Sequence, residues 1–244
     1  MKEWFEDWFD TVYYNALYSN RNEEEADRFV ERLVEMLQLE KEAKILDLAC
    51  GRGRHSIALN ELGFDVTGID LSFKKIADIL PFQNDRLHFY RHDMRHIFRI
   101  NYFDCVFNFF TSFGYFESHY DEKNVASGMS ANLKNGGYLI IDYLNAEFVR
   151  QHLVERDETN TSDYNFIIEK RLEDDRILKK ITVIEKDKCS IFYERVRMYS
   201  LNQMIQLFSG YNLTLEKKYG NYKLEPYSEM NSKRMILVFR KTTN

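Results

Sequence analysis

In the stretch LDLACGRGRHS, residues 46–56, a buried β-rich run meets a loop holding Gly51 and Gly53 and then a helical run. Glycine lets a backbone approach a ligand closely, and a new helix offers free N–H groups at its positive end. In an open α/β sheet such a loop lies at the carboxyl end of a strand, where ligands bind. Asp70 closes the next β-rich run about 20 residues further on, where a carboxylate accepts hydrogen bonds from both hydroxyls of a ribose. Up to this point NAD and S-adenosylmethionine (SAM) fit equally.

Two features separate them. A dinucleotide fingerprint wants a third small residue for helix packing and an apolar strand entry; the matching position holds Ser56, and Asp47 lies inside the strand. A carboxylate beside the loop repels an anionic pyrophosphate, whereas it, or a water bound to it, favours the ammonium and sulfonium of SAM. The charge pattern therefore points to a cationic cofactor. Cation–π attraction adds Tyr13, Tyr14 and Tyr18, beside Arg21, as a segment suited to a sulfonium.

The elements that must hold these residues alternate. Ala26, Phe29, Val30, Leu33, Val34 and Leu37 recur at helical spacing, with Asn22 and Glu25 resembling a capping box. Strands are expected at 43–49, 64–70, 87–93, 102–110 and 138–143. Between them come helices at 55–62, ended by Gly63, at 73–80, stopped by Pro81, and at 121–134, closed by Asn135, Gly136 and Gly137. This rhythm predicts a doubly wound, seven-stranded, mostly parallel sheet with helices on both faces. After about Ala146 it breaks: residues 166–200 read as three long strands turning at Asp174 and Asp175 and around Asp187. A helix at 201–208 and strands at 212–219 and 235–241 complete the sheet. The expected organisation is one α/β domain, 1–145 with 200–244, carrying an N-terminal helical cap and an inserted antiparallel β meander, 146–199, as lid or substrate region. On the meander, Lys179, Lys180, Arg195 and Arg197 are expected to form a solvated face.

Five stretches stand in the order of a known family. LDLACGRGRH (46–55), GIDLS (68–72), HDM (92–94), FDCVFNFFTSFGYF (103–116) and LKNGGYLIIDY (133–143) resemble the class I SAM-dependent methyltransferases, which share a Rossmann-like fold. The likeness implies SAM as cofactor and S-adenosyl-L-homocysteine as product. It implies Asp47, Ala49, Cys50, Gly51 and Gly53 in the glycine loop, Asp70 and Leu71 at the ribose, and Asp93 and Met94 at the adenine. Asn108 and Phe109 would lead to the methyl group, and Tyr14, Tyr18 and Arg21 would fold over the cofactor. The TSFGYF loop and the meander look most like bacterial small-molecule methyltransferases related in outline to glycine N-methyltransferase. Two departures stand out. His55 takes the place of a third glycine, and Asn108 is followed by two phenylalanines rather than the two prolines of enzymes acting on DNA bases or protein amides.

Methyl transfer from a sulfonium is an in-line displacement that asks mainly for alignment and exclusion of water. A base helps only a protonated nucleophile, and Tyr115, His119 and Asp142 are the candidates. A net charge of -5 and a pI near 5.8 do not suit a partner of many phosphates. Three cysteines without CxxC spacing, an opening without a signal-peptide pattern and no long apolar run make a cytoplasmic, membrane-free protein the expectation. His88, His92 and His96 lack metal-ligand company, so no metal is expected. A small-molecule N- or O-methyltransferase leads. An RNA methyltransferase, a SAM-binding protein without turnover and, remotely, an NAD-dependent oxidoreductase are the alternatives.

Overall fold

Burial separates the strands of this chain into two kinds. In the computed structural model, which describes residues 3–18, 23–186 and 188–243, two short helices, α1 (Trp4–Trp8) and α2 (Val12–Leu17), precede α3 (Glu23–Leu37). Then follow β1 (Lys44–Leu48), α4 (Arg54–Glu61), β2 (Asp65–Asp70), α5 (Phe73–Ile79), β3 (Leu87–Arg91), β4 (Phe103–Asn108), α6 (His119–Asn132) and β5 (Leu133–Leu144). β1 and β4 are buried on both faces, as central strands of a covered parallel sheet must be. After α7 (Ala146–Gln151) come the strands β6 (Arg156–Asn160), β7 (Asn165–Glu173), β8 (Arg176–Glu185) and β9 (Lys188–Arg197), whose faces differ in burial. The chain ends with α8 (Leu201–Ser209), β10 (Leu213–Tyr219) and β11 (Arg234–Lys241).

The larger sheet has seven strands in the order β10-β11-β5-β4-β1-β2-β3. Pairs among β1 to β5 are parallel, and β11 runs antiparallel to both β5 and β10. The chain winds outward from β1 to β3 and then crosses back to β4 and β5. That reversal opens a crevice at the carboxyl ends of β1 and β4. One face is covered by α3 and α4, through Phe29, Val30, Leu33 and Leu59. The other is covered by α6 and α8, through Val125, Met129, Met204 and Phe208. The capping box at Asn22 lies outside the described residues. No helix among the described residues is long and apolar enough to cross a membrane.

Two stretches differ from the expected pattern. α6 ends at Asn132, and the Gly136 turn is a bulge within β5, where the pairing with β4 jumps from Phe103↔Leu133 to Cys105↔Tyr138. Gly136 has φ +75°, which suits a residue without a Cβ. The meander is a separate antiparallel sheet of four strands, not three, because β6 adds the polar edge sequence RDETN.

Its basic residues also do not form one solvated face. Lys179 alternates in step with Ile177 and Ile181 and so points inward, where its Nζ donates to Glu194 Oε2 at 2.7 Å. Glu194 also accepts from Trp8 Nε1 (2.8 Å) and Tyr18 Oη (2.9 Å), tying β9 to the first two helices. Arg197 is buried against Glu122 of α6, at 2.9 Å. Lys180 and Arg195 do lie outward, paired with Glu169 and Glu117.

Candidate cofactor and acceptor site

The crevice holds a cavity of about 880 Å³, bounded by the loop after β1, the ends of β2 to β4 and the N-terminal helices. Its floor is the loop 49–53, in which Ala49, Gly51 and Gly53 have φ of +66°, +58° and +72°. Gly51 N–H donates to Asp70 Oδ2 and Ser72 N–H to Asp70 Oδ1, both at 2.9 Å, so the carboxylate is aimed across the loop. Each oxygen keeps lone-pair capacity for a ligand hydroxyl.

The two glycines do different work. A Cβ on Gly51 would meet nothing within 4 Å, so this backbone borders open cavity. At Gly53 it would lie 3.0 Å from the Phe89 ring; this glycine lets α4 pack on β3 and is not among the lining residues. Gly53 N–H is bonded to Cys50 O at 2.9 Å. The two amides that would cradle a pyrophosphate are therefore already engaged, and the loop's carboxylates oppose an anion. The donor set fits a cationic nucleoside better than a dinucleotide.

Asp47 is buried behind the loop and accepts from Ser56 Oγ at 2.6 Å. Burial pushes its carboxyl up to about 6, with Asp70 adding to the rise and the Ser56 bond opposing it. Cys50 packs in the loop, its thiol driven well above the usual range by burial. Leu71 and Met94 line the cavity. Asp93 lines it too, but both its oxygens are held by Arg95, at 2.6 to 3.1 Å. Burial raises the Asp93 carboxyl and those bonds more than offset it, leaving it below the ordinary value. Asn108 is fully buried outside the cavity lining and donates to Leu48 O at 2.9 Å, pinning the end of β4 to β1.

Phe109, Tyr14 and Tyr18 line the cavity, while Arg21 lies outside the described residues. Of the three candidate bases, Tyr115 lines it as well. His119 is 68% exposed and faces Glu122 at 3.3 Å. Asp142 is fully buried and accepts from Phe110 N–H, Tyr222 Oη and Arg234 Nε.

Several lining residues carry no local sequence signal. Phe9 packs on Tyr14 and Tyr115, with centroids 4.9 and 5.4 Å apart, and Lys75 Nζ lies 5.4 Å from the Phe9 centroid. His55 and Phe110 stack at 5.2 Å along the β4 side. His55 was visible only as a departure from a glycine; Phe9 and Lys75 meet through chain reversal.

Two buried groups set opposing pH responses. The unfolded chain releases the Asp47 proton near pH 3.8, yet the folded chain holds it to about 6, so this group's stability contribution is lost as pH rises through that window. Burial, aided by Arg54, lowers His55 from 6.5 to about 3, so its contribution is lost as pH falls through that range. Asp47→Asn removes only the first response. Between pH 4 and 6 the variant's stability is expected to rise with pH more steeply than the wild type's. At pH 7 the ligand-free variant gains on the order of 2–3 kcal/mol. Urea denaturation at pH 4.5 and 7 checks both, and parallel profiles for the two proteins would contradict them.

A methyltransferase-domain family model matches residues 18–218. The glycine/sarcosine N-methyltransferase of Aphanothece halophytica is 29% identical over 151 residues, 59% of this chain and 53% of that protein. The chain spans about half the length of the relatives it matches. An S-adenosylmethionine-dependent methyltransferase from Clostridium acetobutylicum superposes with a TM-score of 0.80 at 18% identity, covering 95% of this chain and 97% of that one. SAM-bound CalS10, an amino pentose methyltransferase from Micromonospora echinaspora, superposes at 0.69 with 18% identity and the same coverage. At these identities the structural likeness is one of fold.

Proposed function

Since the chain belongs to the methyltransferase-domain family, we propose that it transfers the methyl group of SAM to a nitrogen or oxygen of a small-molecule acceptor and releases S-adenosylhomocysteine. The observation that carries this reading is the Asp70 carboxylate, held by Gly51 and Ser72 and lining the cavity, beside a loop whose Gly51 and Gly53 amides are already bonded. SAM is the cofactor, and when bound it supplies a methyl group already activated on a sulfonium.

The chain's residues bind, align and exclude water. Asp70 takes the ribose hydroxyls, and the turn at Asp93 and Met94, kept rigid by Arg95, borders the adenine. Asp47, ionised above about pH 6, places a negative field under the cofactor's cationic end. Phe9, Tyr14 and Tyr18 roof the cavity with aromatic faces that favour a sulfonium. The roof is fastened to the meander by Glu194, which gives residues 146–199 a part in shaping the acceptor site. Of the candidate bases Tyr115, His119 and Asp142, Tyr115 alone lines the cavity, which supports it as the one nearest the acceptor.

The acceptors named for the two relatives, glycine or sarcosine and an amino pentose, are small molecules, which supports the same scale here. A net charge of -5 opposes a nucleic-acid acceptor. Calorimetric titration with S-adenosylhomocysteine, then a labelled-methyl screen of metabolite and RNA fractions, tests the proposal. Saturable binding and label in a small metabolite are expected; absence of binding would end it.

A further inference from the structure

Tyr115 sits between two backbone carbonyls that the meander holds. On one side the Arg197 N–H, at the end of β9, donates to Gly114 O at 2.9 Å. On the other the Arg176 guanidinium, at the start of β8, donates through Nη2 to Phe116 O at 2.8 Å and to Glu117 O at 3.2 Å. Arg176 and Arg197 stand directly opposite each other in the β8–β9 register, so one end of the inserted sheet grips the loop on both sides of Tyr115. The first grip leaves no slack. Gly114 has φ +87°, and a Cβ there would run into Tyr143 Oη, which itself donates to Arg197 O.

An arginine at position 176 is unfavourable on its own account. It is 6% exposed, and its one carboxylate within 4.0 Å among the described residues is Asp175, at 3.9 Å. Its Nη1 has no hydrogen-bond partner among those residues, and it faces a second arginine across the strands. Buried charges are ordinarily paired, and like charges opposite one another in a sheet are destabilising. What the guanidinium does make is a fork over two successive carbonyls of the loop. Arg176 lies outside the cavity lining, as does every other residue of the meander, whereas Tyr115 and Phe116 are part of it. The Tyr115 ring packs on Ile177, Val196 and Met198 from the meander and meets Trp4 and Phe9 on the cavity's N-terminal side, with centroids 5.3 and 5.4 Å apart.

Building on the reading of Tyr115 as the cavity residue nearest the acceptor, we propose that Arg176 is a positioning residue, which sets the Tyr115 ring by holding the carbonyls of Phe116 and Glu117. The meander thereby governs alignment for methyl transfer from outside the cavity. Glu194, which fastens the roof through Trp8 and Tyr18, lies three residues before Arg197 on β9, so the same strand reaches both the roof and the acceptor wall.

The chain has two tryptophans, so Trp8→Phe, which keeps a ring against Tyr14 and Phe192, leaves Trp4 as a single emission probe beside Tyr115. In that background, without ligand, Arg176→Met should move Trp4 emission and acrylamide quenching most of the way to the values given by Tyr115→Ala. Arg176→Lys, which keeps a donor but not the fork, should lie nearer the reference. With both tryptophans in place, Arg176→Met should bind S-adenosylhomocysteine within about threefold of wild type. It should transfer labelled methyl to the metabolite fraction about tenfold to a hundredfold more slowly, as a misplacement of about 1 Å can cause. A guanidinium that only stabilises the fold would lower the melting temperature and leave both the Trp4 signal and the transfer rate of the folded protein unchanged. That result overturns the proposal, as does slower transfer matched by an equal loss of S-adenosylhomocysteine affinity. Wild type that binds no S-adenosylhomocysteine would sink the SAM reading instead, and the ligand-free Trp4 signal would still decide whether Arg176 sets Tyr115.

Discussion

Replacing Asp70 by alanine is expected to weaken S-adenosylhomocysteine binding by about a hundredfold or more, with little change in melting temperature. The carboxylate does two things at once. It is the acceptor for two ribose hydroxyls, and hydrogen bonds to a charged group are worth roughly 1.5–3 kcal/mol each. It also holds Gly51 N–H and Ser72 N–H, so its loss frees the glycine loop to move away from the geometry that the ligand meets. Two ribose bonds alone reach about 3 kcal/mol, a hundredfold at roughly 1.4 kcal/mol per factor of ten. Stability should respond less, because Asp70 is only half-buried at a strand end and water can satisfy the two amides. Asp70→Asn, which keeps one acceptor oxygen, should fall between. Calorimetry and thermal melting on the same samples decide the matter: affinity within about threefold of wild type would remove Asp70 from the ribose.

The glycine loop and the strands around it were legible because their signals are local. A strand buried on both faces is apolar at most positions, Asp47 being the exception here, and a loop that turns through left-handed conformations favours glycine, so ILDLACGRG declares itself. Sequence could not assign Gly51 and Gly53 different tasks: one borders the cavity and the other accommodates the Phe89 ring from a strand more than thirty residues away. Nor could it place Lys179 and Arg197, whose charges read as solvated but face Glu194 and Glu122 across long stretches of chain. The edge strand β6 carries neither apolar alternation nor β-branched residues beyond one threonine, and forms because β7 offers it a free edge. The cavity roof was half legible. The tyrosines at 14 and 18 stood out as a run, whereas Phe9 and Lys75 are joined only by packing.

Asp142→Ala is expected to lower the melting temperature by about 10 °C and, although Asp142 is not itself a lining residue, to weaken cofactor binding. Arg234 donates to Asp142 Oδ1 at 2.7 Å and to Thr111 Oγ1 at 2.9 Å. Asp142 is fully buried and Arg234 22% exposed, so removing the carboxylate leaves a partly solvated charge, at a cost of about 3 kcal/mol, the lower end for a buried pair. In a chain of this size each kcal/mol is about 2–4 °C. A second loss follows. Phe110 and Thr111 have φ of +56° and +58°, unfavourable for side chains of their bulk. They are held there by Phe110 N–H to Asp142 Oδ2 and Thr111 N–H to Asp142 O, both 2.9 Å. Without the carboxylate the first restraint is gone, and the backbone can relax so that Phe110 leaves the cavity wall and the His55 stack. The two effects separate in Asp142→Leu with Arg234→Leu. That double variant removes the unpaired charge and should recover much of the stability, since a buried ion pair exchanged for apolar groups is often near neutral. It should not recover binding, because nothing restores the Phe110 hydrogen bond. Thermal melting and S-adenosylhomocysteine titration on both variants read the two quantities independently, and a double variant that binds like wild type would show that the strained loop is held by something other than Asp142.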